Sequence, residues 1–174
     1  LPVISAPMFL VSGPDLVVEA CNSGIIGTFP SLNQRTTEGY REWLRDIKSR
    51  LKPEAAAFGV NHIVHPTNPR LVANGAGGHA GVVNPFALIN EVRSFYQGTI
   101  ILSGCLSTGQ DVAAALMMGA DFAYMGTRFI NTAEAMASDG YKQMIVDSGA
   151  TDITYTPAVS GIPANFMTRS MPFS

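Results

Sequence analysis

The chain has 174 residues, with 11 basic and 13 acidic side chains and a formal net charge of −2. It therefore lacks the basic surface that nucleic-acid binding or a polybasic membrane anchor requires. Apolar residues make up 47% of the chain and charged residues only 14%, against about 25% charged in ordinary soluble domains. That composition excludes intrinsic disorder, and no apolar run approaches the roughly 18 residues of a membrane span. The scarcity of charge fits buried parallel strands, a large subunit contact such as that of a homodimer, or a chain that is not complete.

Two cysteines, Cys21 and Cys105, are too few for a disulfide framework. They predict reduced thiols in a cytoplasmic protein. There is no signal-peptide pattern. The chain begins at Leu1 rather than at a Met, so we expect its start to have been trimmed.

Apolar strands alternate with helices along the first third of the chain. A short apolar run over 2–8 precedes a helix that we expect Ser12 to cap and Gly24 to end. A strand follows over 24–29, then an amphipathic helix over 38–51, then a third strand over 57–64. The apolar face of the amphipathic helix consists of Tyr40, Trp43, Leu44, Ile47 and Leu51.

After Gly81 the pattern predicts helices over 85–97, 109–118 and 132–147, with strands over 99–103 and 122–126. In the first of these helices we expect Phe86, Ile89 and either Val92 or Phe95 to face inward. In all, six strands are predicted, near residues 3, 25, 59, 73, 101 and 124. Continuous apolar strands alternating with helices are typical of a parallel sheet covered on both faces.

The interval from His65 to Arg70 breaks this alternation. A parallel crossover needs a dozen or more residues, usually with a helix, and this short segment contains Pro66 and Pro69, which disfavour a helix. Either the flanking strands are not neighbours or residues are absent from the sequence. We expect an omitted internal segment near 70–72, on the order of two βα units of roughly 30 residues each.

The segment Val72–Gly81 surrounds one histidine, His79, with four glycines directly after an apolar run. Glycine lets a backbone approach a flat ligand closely, and a histidine at a strand end titrates near neutral pH. The alternative is a glycine-rich turn with an incidental surface histidine. His62 and His65 have no accompanying ligand pattern, so no metal site is predicted.

Two further segments place small residues between a strand and a helix: Ser103–Gly109 and Met125–Arg128. In α/β proteins, phosphate binds to free backbone N–H groups near the start of a helix. In (β/α)₈ barrels the phosphate site lies in the loops after the last two strands. Arg128 is a candidate for a phosphate or an acidic substrate, with a surface ion pair as the alternative. Ser5–Met8 could form a flat floor under a ring or simply end a core strand.

Taken together, these motifs resemble the nitronate monooxygenases, formerly called 2-nitropropane dioxygenases. The motifs that carry the resemblance are Ser5–Met8, Gly59–Asn61, Gly75–Gly81, Ile101–Gly104, Tyr124–Phe129 and Asp139–Asp147. The resemblance runs from about residue 2 to residue 169. The related FMN-dependent enoyl-acyl-carrier reductases share much of the same scaffold.

The resemblance implies a (β/α)₈ TIM barrel with a small C-terminal insertion, formed as one domain over 1–174 and holding FMN at its strand ends. His79 matches the family's catalytic histidine. The flavin-lining residues it implies are Ala6, Pro7, Met8, Asn61, Gly77 and Gly78. The phosphate-binding residues it implies are Ser103, Gly104, Cys105, Tyr124, Met125, Gly126 and Thr127.

Two positions and one missing segment depart from the family pattern. Cys105 stands where relatives often have a second glycine, and we interpret it as a small residue in a glycine-like slot. Val72 stands where a polar residue often touches the flavin. Strands four and five of the barrel, which relatives have between the equivalents of Arg70 and Leu71, are missing from the sequence.

The implied reaction is oxidation of an alkyl nitronate by O₂ to a carbonyl compound and nitrite, with nitroalkanes as further substrates. No side chain does that redox chemistry, so a cofactor must supply it. His79 would steady the anion as imidazolium, or take the α-proton of a nitroalkane as a neutral base. The alternatives are an FMN-dependent enoyl-thioester reductase that uses NAD(P)H and a flavin-binding protein without turnover.

Overall fold

The structure, a computed structural model, describes residues 1–61, the backbone of 78–79, and residues 83–159, 161 and 163–171. Its helices are α1 Pro14–Asn22, α2 Thr37–Arg50, α3 Pro85–Phe95, α4 Gly109–Met117, α5 Thr127–Ile130 and α6 Asp139–Val146. Its strands are β1 Val3–Ser5, β2 Ile26–Pro30, β3 Gly59–Asn61, β4 Gly78–His79, β5 Ile101–Ser103, β6 Phe122–Met125, β7 Ile153–Thr156 and β8 Ala164–Met167.

Five strands form one parallel sheet in the order β3-β2-β1-β6-β5. The first strand lies at its centre, where Ile4 pairs with Ile26 of β2 on one side and with Tyr124 of β6 on the other. This confirms the predicted α/β class with a parallel sheet and five of its predicted strands. The sixth predicted strand, near residue 73, and the expected junction near 70–72 lie outside the described residues.

One apolar cluster joins α1 and α2 to the face of β2 that carries Phe29. Phe29, wholly buried, stacks edge-on against Trp43 with ring centroids 5.6 Å apart. The buried members of this cluster are Val17, Val18, Cys21, Phe29 and Ile47. Tyr40, Trp43, Leu44 and Leu51 pack against them, which confirms the predicted apolar face of α2.

A second apolar cluster joins α3 and α4 to β5 and β6. Its buried members are Ile89, Ile100, Leu102, Ala115, Ala120 and Ala123. Ile89 and Val92 of α3 face inward as predicted, and Phe95, the alternative to Val92, is 68% exposed. Phe86 is 63% exposed, so its predicted inward position is wrong. The inward face of α3 is formed by Leu88, Ile89 and Val92. Phe86 lies on a different face of the helix, and Phe95 lies one turn beyond Val92, past the end of the packed face.

Two local predictions are also wrong. Only the second half of the helix predicted over 132–147 forms. It is α6, Asp139–Val146, which starts where the Ser138 hydroxyl accepts the Tyr141 N–H at 3.4 Å, and the short helix α5, Thr127–Ile130, lies before the predicted range. Ser12 does not cap α1, because the capping residue is Gly13, with no side-chain bond. The Ser12 hydroxyl is engaged earlier in the chain, accepting the Met8 N–H and donating to the Ala6 carbonyl.

A smaller antiparallel sheet has the order β4-β8-β7. The β7–β8 hairpin pairs Ile153 with Met167, and β8 then pairs its Ala164 with His79 of β4. The hairpin was not predicted from residue patterns, and it stands where the resemblance implies a C-terminal insertion. None of the helices in the described part of the chain has the length and apolarity to span a bilayer.

Candidate functional site

The carboxyl ends of the parallel strands meet at one edge of the large sheet. Ser5 ends β1 level with Met125 of β6, and Ser103 ends β5 level with Tyr124. Asn61 ends β3 level with Pro30. Most of the predicted cofactor residues lie at or just after these ends: Ala6, Pro7, Met8, Asn61, Ser103, Gly104, Cys105, Tyr124, Met125, Gly126 and Thr127. The structure therefore brings loops that are distant in sequence to a common edge.

The glycine–histidine segment is placed differently. The backbones of Gly78 and His79 pair with Asn165 and Ala164 of β8, in the smaller sheet. Gly77 and the rest of the segment before it lie outside the described residues. The side chain of His79 likewise lies outside the described part of the chain.

The loop after β6 lies directly against the loop after β1. The Ala6 N–H donates to the Met125 carbonyl at 2.8 Å, which extends the pairing of the two strands by one residue. A Cβ placed on Gly126 would stand 3.8 Å from both the Ala6 Cβ and the Met8 sulfur. Gly126 therefore presents bare backbone beside Ala6 and Met8, the residues that we predicted to line the flavin.

The loop after β5 turns through two consecutive residues with positive φ. Gly104 has φ +110° and Cys105 has φ +57°. The left-handed conformation costs an L-residue about 1–2 kcal/mol, whereas glycine adopts it freely. Cys105, whose side chain is exposed, thus occupies a position that favours glycine, in agreement with our interpretation of this residue from the sequence.

The first turn of α4 is capped by its own side chains. The Thr108 hydroxyl accepts the Asp111 N–H at 3.2 Å, and one carboxylate oxygen of Asp111 accepts the N–H groups of Ser107 and Thr108 at 2.9 and 2.8 Å. These two amides lower the pKa of Asp111, because they stabilise its charged form. The Asp111 carboxylate therefore already occupies the N–H groups of Ser107 and Thr108.

Tyr124 lies on the sheet face that also carries Ile4 and Ser103, its paired neighbours. Burial raises the pKa of Tyr124 to about 12, because the phenolate loses solvation there. The side chain is therefore a neutral phenol throughout the physiological pH range.

A separate groove of about 520 Å³ lies on the opposite face of the sheet. Its lining includes the apolar residues Val3, Val112, Met125 and Phe129, together with Arg128. The ion pairs found among the described residues do not include Arg128. Val3 and Met125 alternate along their strands with Ile4 and Tyr124, so this groove is distinct from the surface on which Tyr124 lies.

Sequence reasoning did not select Asn33, which the structure places beside the loop after β1. Its side chain bonds the backbone of Met8, Leu10 and Ser12. A lone asparagine in a turn carries no pattern that distinguishes it from other turn residues. Only the fold, which brings the ends of β1 and β2 together, reveals the contact.

This arrangement defines an α/β protein with glycine-containing loops gathered at the carboxyl edge of a parallel sheet. A family model described as nitronate monooxygenase matches residues 68–171, more than half of the chain. The protein belongs to the nitronate monooxygenase family.

Individual proteins show the same likeness. The nitronate monooxygenase of Paraburkholderia phytofirmans is 34% identical over 111 residues, which cover 58% of this chain and 30% of that protein. FabK from Thermotoga maritima superposes with a TM-score of 0.81 at 23% identity, covering 99% of this chain and 72% of FabK. Nitroalkane oxidase from Streptomyces ansochromogenes gives 0.80 at 19% identity, covering 96% of this chain and 76% of the oxidase. The chain matches less than a third of the length of that curated relative, and the two solved structures share its fold.

Proposed function

We propose that this protein binds FMN at the carboxyl edge of its parallel sheet and oxidises alkyl nitronates with O₂ to carbonyl compounds and nitrite. The observation that carries the proposal is the common edge itself. The loops after β1, β5 and β6 are adjacent there, and Gly126 leaves bare backbone beside Ala6 and Met8. Family membership, shown for residues 68–171, supports the same chemistry.

The five strands fit part of an eight-stranded barrel. In such a barrel the first strand lies between the second and the last, as β1 lies between β2 and β6. The described sheet ends at β3 and β5, and we propose that three strands close it: the one predicted near residue 73 and two from the omitted segment near 70–72. Sequencing the coding region across this junction, together with the intact mass of the protein, tests the omission. A reading frame in which the codons for Arg70, Leu71 and Val72 are consecutive would refute it.

The described residues fit a flavin phosphate in chemistry as well as in place. Gly104 and Cys105 turn the backbone through positive φ, and Gly126 has no side chain to occupy the space beside Ala6. Thr127 adds a hydroxyl next to Gly126. Backbone N–H groups and a hydroxyl are the neutral donors that phosphate sites use.

When bound, FMN supplies the electron acceptor that no side chain of the chain offers. The chain's own residues bind and orient the reactants. We propose that Ala6, Pro7 and Met8 form the floor under the ring, that Asn61 bonds its edge, and that Gly77 and Gly78 present backbone to it. His79 as a neutral base takes the α-proton of a nitroalkane, and as imidazolium it stabilises the charge of the nitronate.

Cofactor identity is tested by releasing the chromophore from the purified protein with heat and separating it by chromatography. We expect FMN, because the phosphate-type loops follow the last two strands of the parallel sheet and no G-x-G-x-x-G follows the first. An adenine-containing flavin would contradict the assignment.

The role of His79 is tested with two substrates. We expect His79→Ala to reduce activity towards neutral nitroalkanes by about 10²- to 10⁴-fold, and to reduce activity towards preformed nitronates much less. A preformed nitronate has already lost its α-proton, so it does not need the base. Equal losses on both substrates would leave His79 only an electrostatic or structural role.

A second candidate is an FMN-dependent enoyl-thioester reductase that uses NAD(P)H. The observation in its favour is the fold, since the TM-scores to FabK and to nitroalkane oxidase are nearly equal. Anaerobic mixing separates the candidates. Bleaching of the flavin by a nitronate supports the oxidation, bleaching only by NAD(P)H supports the reductase, and no bleaching by either supports a flavin-binding protein without turnover.

A further inference from the structure

The loop that connects β1 to α1, residues 6–13, contains a hydrogen-bonded turn with no glycine before Gly13. The Met8 carbonyl accepts the N–H groups of Val11 and Ser12, at 3.2 and 3.0 Å. Within this turn, between Met8 and Val11, Leu10 adopts φ +59°, a left-handed conformation that a leucine rarely takes. Such a conformation persists only when surrounding contacts hold it in place.

Asn33 supplies those contacts. It ends a single 3₁₀ turn, Ser31–Asn33, directly after β2. Its Oδ1 accepts the N–H of the left-handed Leu10 at 2.9 Å. Its Nδ2 donates to the Met8 carbonyl at 3.1 Å and to the Ser12 carbonyl at 2.9 Å. One side chain therefore satisfies three backbone groups of the turn.

Ser12 completes the arrangement from inside the loop. Its buried hydroxyl accepts the Met8 N–H at 3.0 Å and donates to the Ala6 carbonyl at 3.1 Å. Both polar backbone groups of Met8 are thus held by side chains, its N–H by Ser12 and its carbonyl by Asn33. Met8 and Ala6 are the residues that flank Gly126 at the strand-end site.

We infer that Asn33 is a positioning residue for flavin binding, which fixes the shape of the 6–13 loop so that Ala6, Pro7 and Met8 form a preformed floor for the ring. The inference rests on the proposed function. Without the Asn33 amide, the turn relaxes at Leu10 and the binding-competent arrangement becomes a minor state. The apparent affinity for the cofactor then falls in proportion to the population of that state.

The chain offers a matched control in Asn22. This asparagine also bridges two segments through both ends of its amide, since Nδ2 donates to the Arg50 carbonyl at 3.3 Å and Oδ1 accepts the Lys52 N–H at 2.9 Å. It lies at the last residue of α1, at the opposite end of that helix from the 6–13 loop. Asn22→Ala therefore removes a comparable tie without touching the proposed floor.

The experiment uses the full chain, stripped of flavin, in three variants: Asn33→Ala, Asn33→Asp and Asn22→Ala. Asp keeps the acceptor for Leu10 but places a carboxylate oxygen against the carbonyls of Met8 and Ser12, so it tests the inference even where the Ala variant folds poorly. FMN affinity is measured by fluorescence titration well below the melting temperature. The visible circular dichroism of the bound flavin is recorded alongside, because a change in global stability alone does not alter it.

We expect both Asn33 variants to weaken FMN binding by about tenfold or more and to change the visible dichroism. Asn22→Ala should keep the FMN affinity and the visible dichroism of the wild type, even where its melting temperature falls as far as that of the Asn33 variants. Wild-type affinity and dichroism in Asn33→Ala, or an equal loss in Asn22→Ala, would overturn the positioning role alone. Wild-type protein that takes up no FMN would overturn the proposed function, and the positioning role with it.

Discussion

Phe29 offers the sharpest test of how the fold is held together. Its side chain is wholly buried, and its ring centroid lies 5.6 Å from that of Trp43 and 6.1 Å from that of Tyr40. It packs in the cluster that binds α1 and α2 to β2, together with Val17 and Ile47. Phe29→Ala removes the ring and leaves a cavity that these neighbours cannot fill without moving.

The expected loss is large for a single substitution. Truncation of a buried Phe to Ala costs about 3–5 kcal/mol, and the two ring contacts place Phe29 towards the upper end, since such pairs add roughly 0.5–1.5 kcal/mol each. For a chain of this size, each kcal/mol lowers the melting temperature by about 2–4 °C, so a fall of roughly 8–20 °C follows. Urea unfolding, followed both by far-ultraviolet dichroism and by Trp43 fluorescence, gives the free energy of unfolding.

The matched control is Phe95→Ala, the same substitution at a residue that is 68% exposed. It should change the free energy of unfolding by no more than about 0.5 kcal/mol. Loss of less than about 1.5 kcal/mol in Phe29→Ala, or an equal loss in both variants, would refute the packing described for β2 and α2, because core truncations at such sites cost more.

Three further predictions concern the strand-end loops and the sheet. Thr108→Ala removes the hydroxyl that accepts the Asp111 N–H, and should lower stability by about 1 kcal/mol in thermal unfolding; an unchanged melting temperature would contradict the capping. Cys105→Gly should raise the free energy of unfolding by up to about 1 kcal/mol, because the relief of left-handed strain exceeds the entropy that glycine adds to the unfolded chain. Cys105→Ala keeps the strain and should bring no such gain. Burial raises the pKa of Tyr124 from 10.0 to about 12, so its contribution to stability is complete below pH 10 and is lost as the pH rises from there towards 12. Unfolding measured across that range should show a steeper alkaline loss in the wild type than in Tyr124→Phe, and parallel curves would show that Tyr124 ionises normally.

The sequence predicted best what is decided locally. The apolar face of α2 follows from the spacing of Tyr40, Trp43 and Ile47 alone, and the structure confirms it. Ser12 was misassigned as a helix cap because its hydroxyl is drawn to Ala6 and Met8, a contact that only the folded turn creates. The β7–β8 hairpin was not predicted, since its strands are four residues each and their pairing has no local signature.

The candidate site shows the same division. The strand-end loops were predicted from small residues after apolar runs, and they do meet at one edge. Asn33 was not predicted, because its role depends on β2 ending beside β1, which no residue pattern near position 33 records. The pairing of His79 with Ala164 likewise joins segments far apart in the chain.

The seam between β1 and β6 has a consequence for how the protein forms. Each half of the large sheet packs its own cluster, Phe29 with Ile47 on one side and Leu102 with Ala115 on the other, from segments close in sequence. The seam itself joins Val3 to Ala123 and requires most of the chain. During synthesis at about 5–20 residues per second, β6 emerges on the order of ten seconds after β1. Until then, the edge of β1 that pairs with β6 has no strand beside it. We therefore expect the nascent chain to be most prone to aggregation in that interval, which ends when β1 pairs with β6 across a large sequence separation.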